Sequence, residues 1–326
     1  GNLMNNGGIT VRIFDFAKAL MGWMRGGLGH VNVGASIVFS GMSGAAVADA
    51  GGLGTIEIKA MKDAGYDEEF SVGITAASST IGPIIPPSLP MVIYGVMASV
   101  SVGQLFVAGL VPGLLMGLVL MVMITIISRR RGYTRDAVFS FPVLGHTFKR
   151  AFLSLLTPVI IVGGIMSGAF TPTEAAIAAV VYALVLGGVV YRSLTWRRLL
   201  KVSMETIETT AVILLIVAGA SIFAWILTSN QVTQHVVTLL GPFADNPIAT
   251  LIIINLVLIL VGCFMETIAA ITILVPVLLP VAITAGVDPV HFGVIMVLNL
   301  MIGLLTPPVG MVLYVLSRVS GISFEK

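Results

Sequence analysis

The residues best suited to chemistry in this sequence are carboxylates inside apolar segments: Asp49, Glu57 and Glu266. An ionisable side chain in such a segment is a functional candidate, because its transfer into hydrocarbon is costly. Glu266 is the strongest of the three, since it lies where polar residues interrupt the apolar run. Asp49 and Glu57 have structural alternatives, which are to cap a helix, to face a hydrated cavity or to pair with Lys59.

The second source of chemistry is backbone freed where apolar helices are interrupted. Glycine, serine or proline predicts such interruptions at 40–44, 82–87, 262–267 and 303–308. One end of an interrupted helix offers N–H groups and a partial positive charge to an anion. The other end offers carbonyl oxygens to Na⁺. Pairing the first two interruptions, and the last two, predicts two quasi-symmetric cation sites that flank one substrate site.

The candidate residues follow from these pairs of interruptions. The first predicted Na⁺ site consists of Ser40, Gly41, Ser43, Gly44, Gly82, Ile84 and Ile85. The second consists of Met265, Glu266, Thr267, Gly303, Leu305 and Thr306. The predicted substrate-binding residues lie beside the interruptions and are Ser43, Ser78, Ser79, Thr80, Pro87, Ser88, Asn299 and Thr306. Each serine or threonine has an alternative role, which is a hydrogen bond to its own helix backbone.

The composition predicts an all-α polytopic membrane protein in which these sites are embedded. Of the 326 residues, 57% are hydrophobic and 10% are charged, with a mean hydropathy of +1.07. A soluble domain carries about 25% charged residues. Only helices and closed barrels satisfy their backbone in lipid, and the long apolar runs of this chain are helical in length.

Enzymatic signals are weak, and we predict no catalytic residue, no cofactor and no metal other than Na⁺. The run 50–54 resembles a phosphate loop, but no Lys-Ser or Lys-Thr pair follows it. An intramembrane hydrolase would need a polar catalytic pair on unbroken spans, and Ser43 has no evident histidine and aspartate partners. The lone Cys263 excludes an internal disulfide.

The apolar and amphipathic pattern divides the chain into four regions. We predict an amphipathic interfacial arm at 1–27, a first repeat at 28–128, a central region at 129–205 and a second repeat at 206–326. The first repeat comprises a re-entrant hairpin at 28–61, a broken span at 70–98 and a span at 105–128. The central region comprises a basic connector, spans at 153–170 and 175–191, and a second arm. The second repeat comprises a span at 206–229, an amphipathic segment at 231–246, a hairpin at 248–283 and a broken span at 290–318.

The two repeats share a register of small and polar residues. At one constant offset, the matches are Gly41 with Gly262, Ala64–Gly65 with Ala285–Gly286, Asp67 with Asp288, Ile81–Gly82 with Ile302–Gly303, and Pro86–Pro87 with Pro307–Pro308. Such internal duplication in a membrane protein points to a transporter. The arms of the first hairpin hold roughly 12–16 residues and reach about 20 Å, which is short of a hydrocarbon core of about 30 Å.

Charge predicts the orientation of the repeats. If each hairpin counts as no crossing, all 17 lysines and arginines fall in one set of loops, namely 1–27, 59–69, 129–152, 192–205 and 318–326. Basic loops stay cytoplasmic. The first hairpin then enters from the cytoplasm and the second from outside, so the repeats are inverted.

Three stretches resemble the large membrane subunit of TRAP (tripartite ATP-independent periplasmic) transporters: residues 40–54, 75–95 and 266–311. The resemblance implies an elevator-type, Na⁺-driven symporter of small organic acids such as C4-dicarboxylates or sialic acid. It implies a smaller membrane subunit, a periplasmic solute-binding protein and a place in the bacterial or archaeal cytoplasmic membrane. Family members usually carry about two more spans before the segment at 1–8, so we expect this chain to be a fragment. The alternatives are a stand-alone Na⁺/dicarboxylate symporter of related architecture and a passive channel.

Overall fold

The computed structural model describes residues 9–231, 234–235, 238 and 246–323, and it is helical there apart from turns and one isolated bridge between Arg25 and Arg135. The first seven helices are α1 (Ile9–Met21), α2 (Gly27–Ser43), α3 (Ala46–Gly51), α4 (Leu53–Asp63), α5 (Glu68–Ser79), α6 (Leu89–Ala98) and α7 (Val102–Arg131). The others are α8 (Phe141–Met166), α9 (Pro172–Val185), α10 (Trp196–Ser229), α11 (Pro247–Gly262), α12 (Thr267–Thr284), α13 (Pro289–Gly303) and α14 (Met311–Ser320). Most of the predicted segment 231–246 and the first eight residues of the predicted arm lie outside the described residues.

The first compact unit contains residues 1–88, 110–205 and 312–326. Within it, α1 packs against α2 and α8, and α2 packs against α4 and α5. One face of α1 is buried, because Ile9, Ile13, Phe14 and Ala17 join the core, whereas Leu20 on the same helix is exposed. The described part of the predicted arm therefore packs against α2 and α8 along one face.

The second compact unit contains residues 89–109 and 206–311. In this unit α11 packs against α13, and α12 packs against α6 and α13. Tyr94 is fully buried, and its hydroxyl donates to the Pro289 carbonyl at 2.6 Å. A Cβ at Gly293 would lie 2.4 Å from Cε1 of Tyr94, so a glycine is required for α13 to approach this ring.

Five helices in the described ranges are long and apolar enough to cross a membrane: α7, α8, residues 172–190, residues 196–227 and α12. The first four overlap predicted spans with different bounds, and α10 begins at Trp196 and so includes residues that were predicted as a separate second arm. α12 has 18 residues and is about 27 Å long. Since this length suffices for a span, the prediction that 248–283 re-enters rests on loop charge and not on helix length.

Matched positions of the two repeats have similar local structure. Gly65 and Gly286 follow the ends of α4 and α12 with φ of 83° and 80°, a left-handed conformation that favours glycine. Asp67 and Asp288 occupy the N-cap positions of α5 and α13. The peptide bonds Pro86–Pro87 and Pro307–Pro308 are both cis. The repeated Ala-Gly-x-Asp sequence thus encodes a helix end, a turn and the next helix start.

Candidate functional site

The first candidate site lies in the first unit, where the end of α2 meets the residues that follow α5. α2 ends at Ser43, and Gly44 adopts a left-handed φ of 62°. Ser40 and Gly41, which were predicted within the interruption, lie in the last helical turn. The Ser40 hydroxyl donates to the Ile37 carbonyl at 2.6 Å, so this side chain is satisfied within its own helix. Gly41 permits close packing, since a Cβ there would lie 2.6 Å from Cβ of Pro158.

Gly82 lies directly beside this helix end. A Cβ at Gly82 would be 3.8 Å from Oγ of Ser43 and 3.9 Å from the carbonyl carbon of Ala45. The Ser43 hydroxyl is buried and has no hydrogen-bond partner in the part of the chain that the structure describes. Outside the helices of the described residues, no backbone N–H donates to the carbonyl groups of Gly82, Ile84 and Ile85. Hydroxyl and carbonyl oxygens of this kind are the ligands that suit Na⁺.

Most hydroxyls of the predicted substrate site in this unit bond to nearby backbone. Ser79 and Thr80 donate to the carbonyl groups three residues earlier, at 2.8 and 2.7 Å. Ser88 donates to the Pro83 carbonyl, and Pro87 is half-buried beside it. These hydroxyls adopt the alternative role that their sequence position allows.

Ser78 belongs to a buried polar network between α2 and α5. Its hydroxyl donates to Oδ1 of Asn32 at 2.6 Å, and Nδ2 of Asn32 donates to Oγ1 of Thr75 at 2.7 Å. Asn32 is fully buried. Sequence reasoning missed Asn32, although Ser71, Thr75 and Ser78 form a polar stripe on one face of α5. This network fixes α5, and hence the segment 80–88, against α2.

Asp49 and Glu57 form a second polar feature of the first unit. Each is 1% exposed, and neither carboxyl group has a hydrogen-bond partner or salt bridge among the described residues. Ser36 is a neighbour of Asp49, but it donates to Ser78 at 3.3 Å. The predicted pairing of either carboxylate with Lys59 does not occur, because Lys59 is exposed. Two neighbouring buried carboxyl groups without a counter-charge require a proton or a bound cation.

The second candidate site lies in the second unit, between the end of α11 and the end of α13. The two helix ends touch through glycines, because a Cβ at Gly303 would lie 2.5 Å from Cα of Gly262. The Val309 N–H donates to the Cys263 carbonyl at 3.2 Å and joins the two interruptions directly. In the same turn, Thr306 donates through its hydroxyl to the Ile302 carbonyl at 2.8 Å. Leu305 lies within this interruption.

Glu266 occupies the N-cap of α12, immediately before Thr267. Its Oε2 accepts from the backbone N–H groups of Ile268 at 2.8 Å and Ala269 at 3.2 Å. This is the usual way to satisfy free donors at a helix start. The carboxylate therefore caps α12 at the interruption, directly after Met265.

Asn299 lies in α13, one turn before its end. Its Nδ2 donates to the Ile295 carbonyl at 2.8 Å and to Oδ1 of Asn255. A role for Asn255 was not predicted from the sequence, because a single asparagine in an apolar run does not indicate which residue it will hydrogen-bond. The predicted substrate residues are thus divided, with Asn299 and Thr306 in the second unit and the others in the first.

Residues 1–326 match the family described as the tripartite ATP-independent periplasmic transporter, DctM component. The chain belongs to this DctM family. Its resemblance to TRAP large membrane subunits is confirmed, and a DctM chain is a transporter permease and not an enzyme. With its apolar spans, it is a multi-pass protein of the bacterial inner membrane.

Three DctM-family relatives match almost all of the chain. The sialic acid TRAP transporter large permease protein SiaM of Vibrio cholerae is 54% identical over 325 residues, which are 100% of this chain and 76% of that protein. The C4-dicarboxylate TRAP transporter large permease protein DctM of Pseudomonas aeruginosa is 42% identical over 98% of this chain and 75% of its own length. The 2,3-diketo-L-gulonate TRAP transporter large permease protein YiaN of Escherichia coli is 39% identical over 100% and 76%.

Proposed function

We propose that this permease imports a small organic acid by Na⁺-coupled symport with an elevator movement. The observation that carries the proposal is the pairing of interruptions within each unit. In the first unit Gly82 lies beside Ser43, whose hydroxyl lacks a partner among the described residues. In the second unit Val309 bonds to Cys263 beside the Gly262–Gly303 contact. Interrupted helices of this kind coordinate coupling ions in secondary transporters.

The proposed substrate class follows from the relatives. Three relatives are named as transporters of sialic acid, of C4-dicarboxylates and of 2,3-diketo-L-gulonate, and all of these compounds are organic acids. We propose that the carboxylate of such an acid is the feature the permease recognises. The Ser43 hydroxyl is a candidate contact, since it is buried at the interruption of the first unit and has no hydrogen-bond partner among the described residues.

We further propose that the permease works with a small membrane subunit and a periplasmic solute-binding protein. The DctM family is described as one component of a tripartite periplasmic transporter. This description supports the three-component assembly over a stand-alone symporter. In such an assembly the binding protein would deliver the acid from the periplasm.

The experiment is uptake into proteoliposomes that contain the permease and its small subunit. Radiolabelled sialic acid and a C4-dicarboxylate are offered with an inward Na⁺ gradient, with and without the cognate binding protein. We expect uptake of one acid, and only when both the gradient and the binding protein are present. Uptake at the same rate without the binding protein would establish the stand-alone symporter instead, and uptake without any ion gradient would establish a passive channel.

A further inference from the structure

Three arginines surround a polar recess in the first unit. Arg25, Arg129 and Arg135 all border two adjoining clefts of about 520 and 400 Å³. The other residues of the clefts are Trp23, Met24, His30, Thr125, Ser128, Gly132, Tyr133 and Thr134. Arg25 lies in the turn between α1 and α2, whereas Arg129 and Arg135 lie at the end of α7 and after it. Distant parts of the sequence thus converge to concentrate positive charge.

The three guanidinium groups form no salt bridge within the part of the chain that the structure describes. Oδ2 of the nearby Asp136 accepts from the Leu28 N–H at 2.8 Å and from the Tyr66 hydroxyl at 2.5 Å. Asp67 binds Arg131 at 2.6 Å. The Tyr133 hydroxyl and the Arg131 guanidinium hold the pKa of Asp67 below its ordinary value. Neither Asp67 nor Asp136 borders the clefts, so the charged side chains that line the recess are the three arginines.

A buried hydroxyl completes the recess. Ser128 is 0% exposed, and its Oγ has no hydrogen-bond partner in the described residues. Gly26 makes room for it, since a Cβ there would lie 1.9 Å from this oxygen. Gly26 has a φ of 69° and donates through its N–H to the Thr134 carbonyl at 3.0 Å. The two loops are therefore fixed against each other, and the recess is a preformed feature of the fold.

The surroundings of the recess are typical of a membrane interface. Trp23 is exposed and packs edge-on against Phe139, with ring centroids 6.1 Å apart. Exposed tryptophan beside arginines is typical of the headgroup level of a bilayer. The arginines belong to loops whose excess of positive charge predicts the cytoplasmic side. On that side, basic pockets face the anionic headgroups of the inner leaflet.

We propose that the recess bounded by Arg25, Arg129 and Arg135 binds the phosphate group of an anionic phospholipid of the cytoplasmic leaflet. Guanidinium groups suit phosphate oxygens because they donate in a planar, two-pronged arrangement. The Ser128 hydroxyl supplies a further donor at the recess wall. This inference goes beyond the proposed transport function and does not depend on which acid the permease carries.

The test is lipid binding by the permease in complex with its small subunit, measured by native mass spectrometry in detergent. Phosphatidylglycerol, phosphatidylcholine and inorganic phosphate are titrated separately. We expect phosphatidylglycerol to bind more tightly than phosphatidylcholine, and Arg135→Gln to weaken its binding about fivefold. The variant with all three arginines replaced by glutamine should bind it about a hundredfold more weakly.

Arg130→Gln is the matched control, because Arg130 is exposed on the same helix end and borders neither cleft. It should bind phosphatidylglycerol like the wild type. If the triple variant does not fold, Arg25→Gln and Ser128→Ala, measured singly, decide the question. Equal binding of the two lipids, or unchanged binding in the arginine variants, would overturn the proposal. Inorganic phosphate binding as tightly as phosphatidylglycerol would also overturn it, by identifying a site for free anions.

Discussion

At the scale of single residues, the buried carboxyl groups of Asp49 and Glu57 stand out chemically. Both lie in the hairpin of the first unit, and neither has a partner among the described residues. A buried carboxylate without a counter-charge destabilises a fold, because desolvation exceeds any compensating interaction. A proton would remove this cost without any change in packing.

We predict that Glu57→Gln leaves the melting temperature unchanged or raises it at pH 7, because glutamine keeps the shape and removes the charge. Differential scanning fluorimetry of the purified complex measures this. Asp63→Asn is the control, since Asp63 is an exposed residue of the same helix. A melting temperature that falls for Glu57→Gln but not for Asp63→Asn would contradict the prediction and indicate that a bound cation neutralises Glu57.

Asn32 carries a second prediction at this scale. Asn32→Ala removes the amide that bridges Thr75 and Ser78, so buried polar groups on α5 lose a partner. The free energy of unfolding should fall by about 1–3 kcal/mol. Chemical unfolding in detergent measures the change. Asn230→Ala, at an exposed position whose amide donates to the Ile226 carbonyl, should cost less, and an equal cost for both variants would argue against the network.

At the scale of elements, glycines set how closely the interruptions approach. Gly262 and Gly303 allow two helix ends to touch through their backbones. In the first unit the matched Gly41 contacts Pro158, and the matched Gly82 lies beside Ser43. The repeated glycines therefore serve close packing in both units, although their partners differ.

We predict that Gly303→Ala abolishes transport, because its Cβ would overlap the Gly262 backbone and separate the two helix ends. The free energy of unfolding should fall by about 1–3 kcal/mol. Gly219→Ala is the control: a Cβ at Gly219 meets no atom within 4 Å, and alanine favours a helix by at most about 1 kcal/mol. Uptake assays and thermal unfolding of both variants check this. Full activity of Gly303→Ala would show that the contact is dispensable.

At the scale of the whole molecule, the features predicted from sequence are those that local pattern and composition encode. The apolar runs predicted four continuous spans, and α7 to α10 overlap them, although α8 ends at Met166 and α9 at Val185. The Pro86–Pro87 and Pro307–Pro308 pairs predicted interrupted helices, because proline removes a backbone donor. The family resemblance is confirmed across residues 1–326.

The features that sequence did not predict depend on long-range contacts or on ambiguous residue roles. Gly41 was predicted to interrupt the helix, but it lies within α2 and packs closely against Pro158. In sequence, a glycine that ends a helix cannot be distinguished from one that permits close packing. The sequence changes from amphipathic to apolar near residue 206, and this change predicted two separate elements. A single helix, α10, begins at Trp196 and runs through it. Arg25 and Arg135 are paired in an isolated bridge although they are far apart in the chain. The charge pattern within each segment does not predict that these two residues meet.

The central claim is that oxygens freed at the paired interruptions bind the coupling Na⁺. The most direct measurement is the initial rate of acid uptake by the reconstituted permease, small subunit and binding protein as the Na⁺ concentration is varied at fixed ionic strength and membrane potential. With one cation site in each unit, we expect a sigmoidal dependence on Na⁺ and no uptake when choline replaces it. An uptake rate that stays constant when choline replaces all Na⁺ would contradict the account.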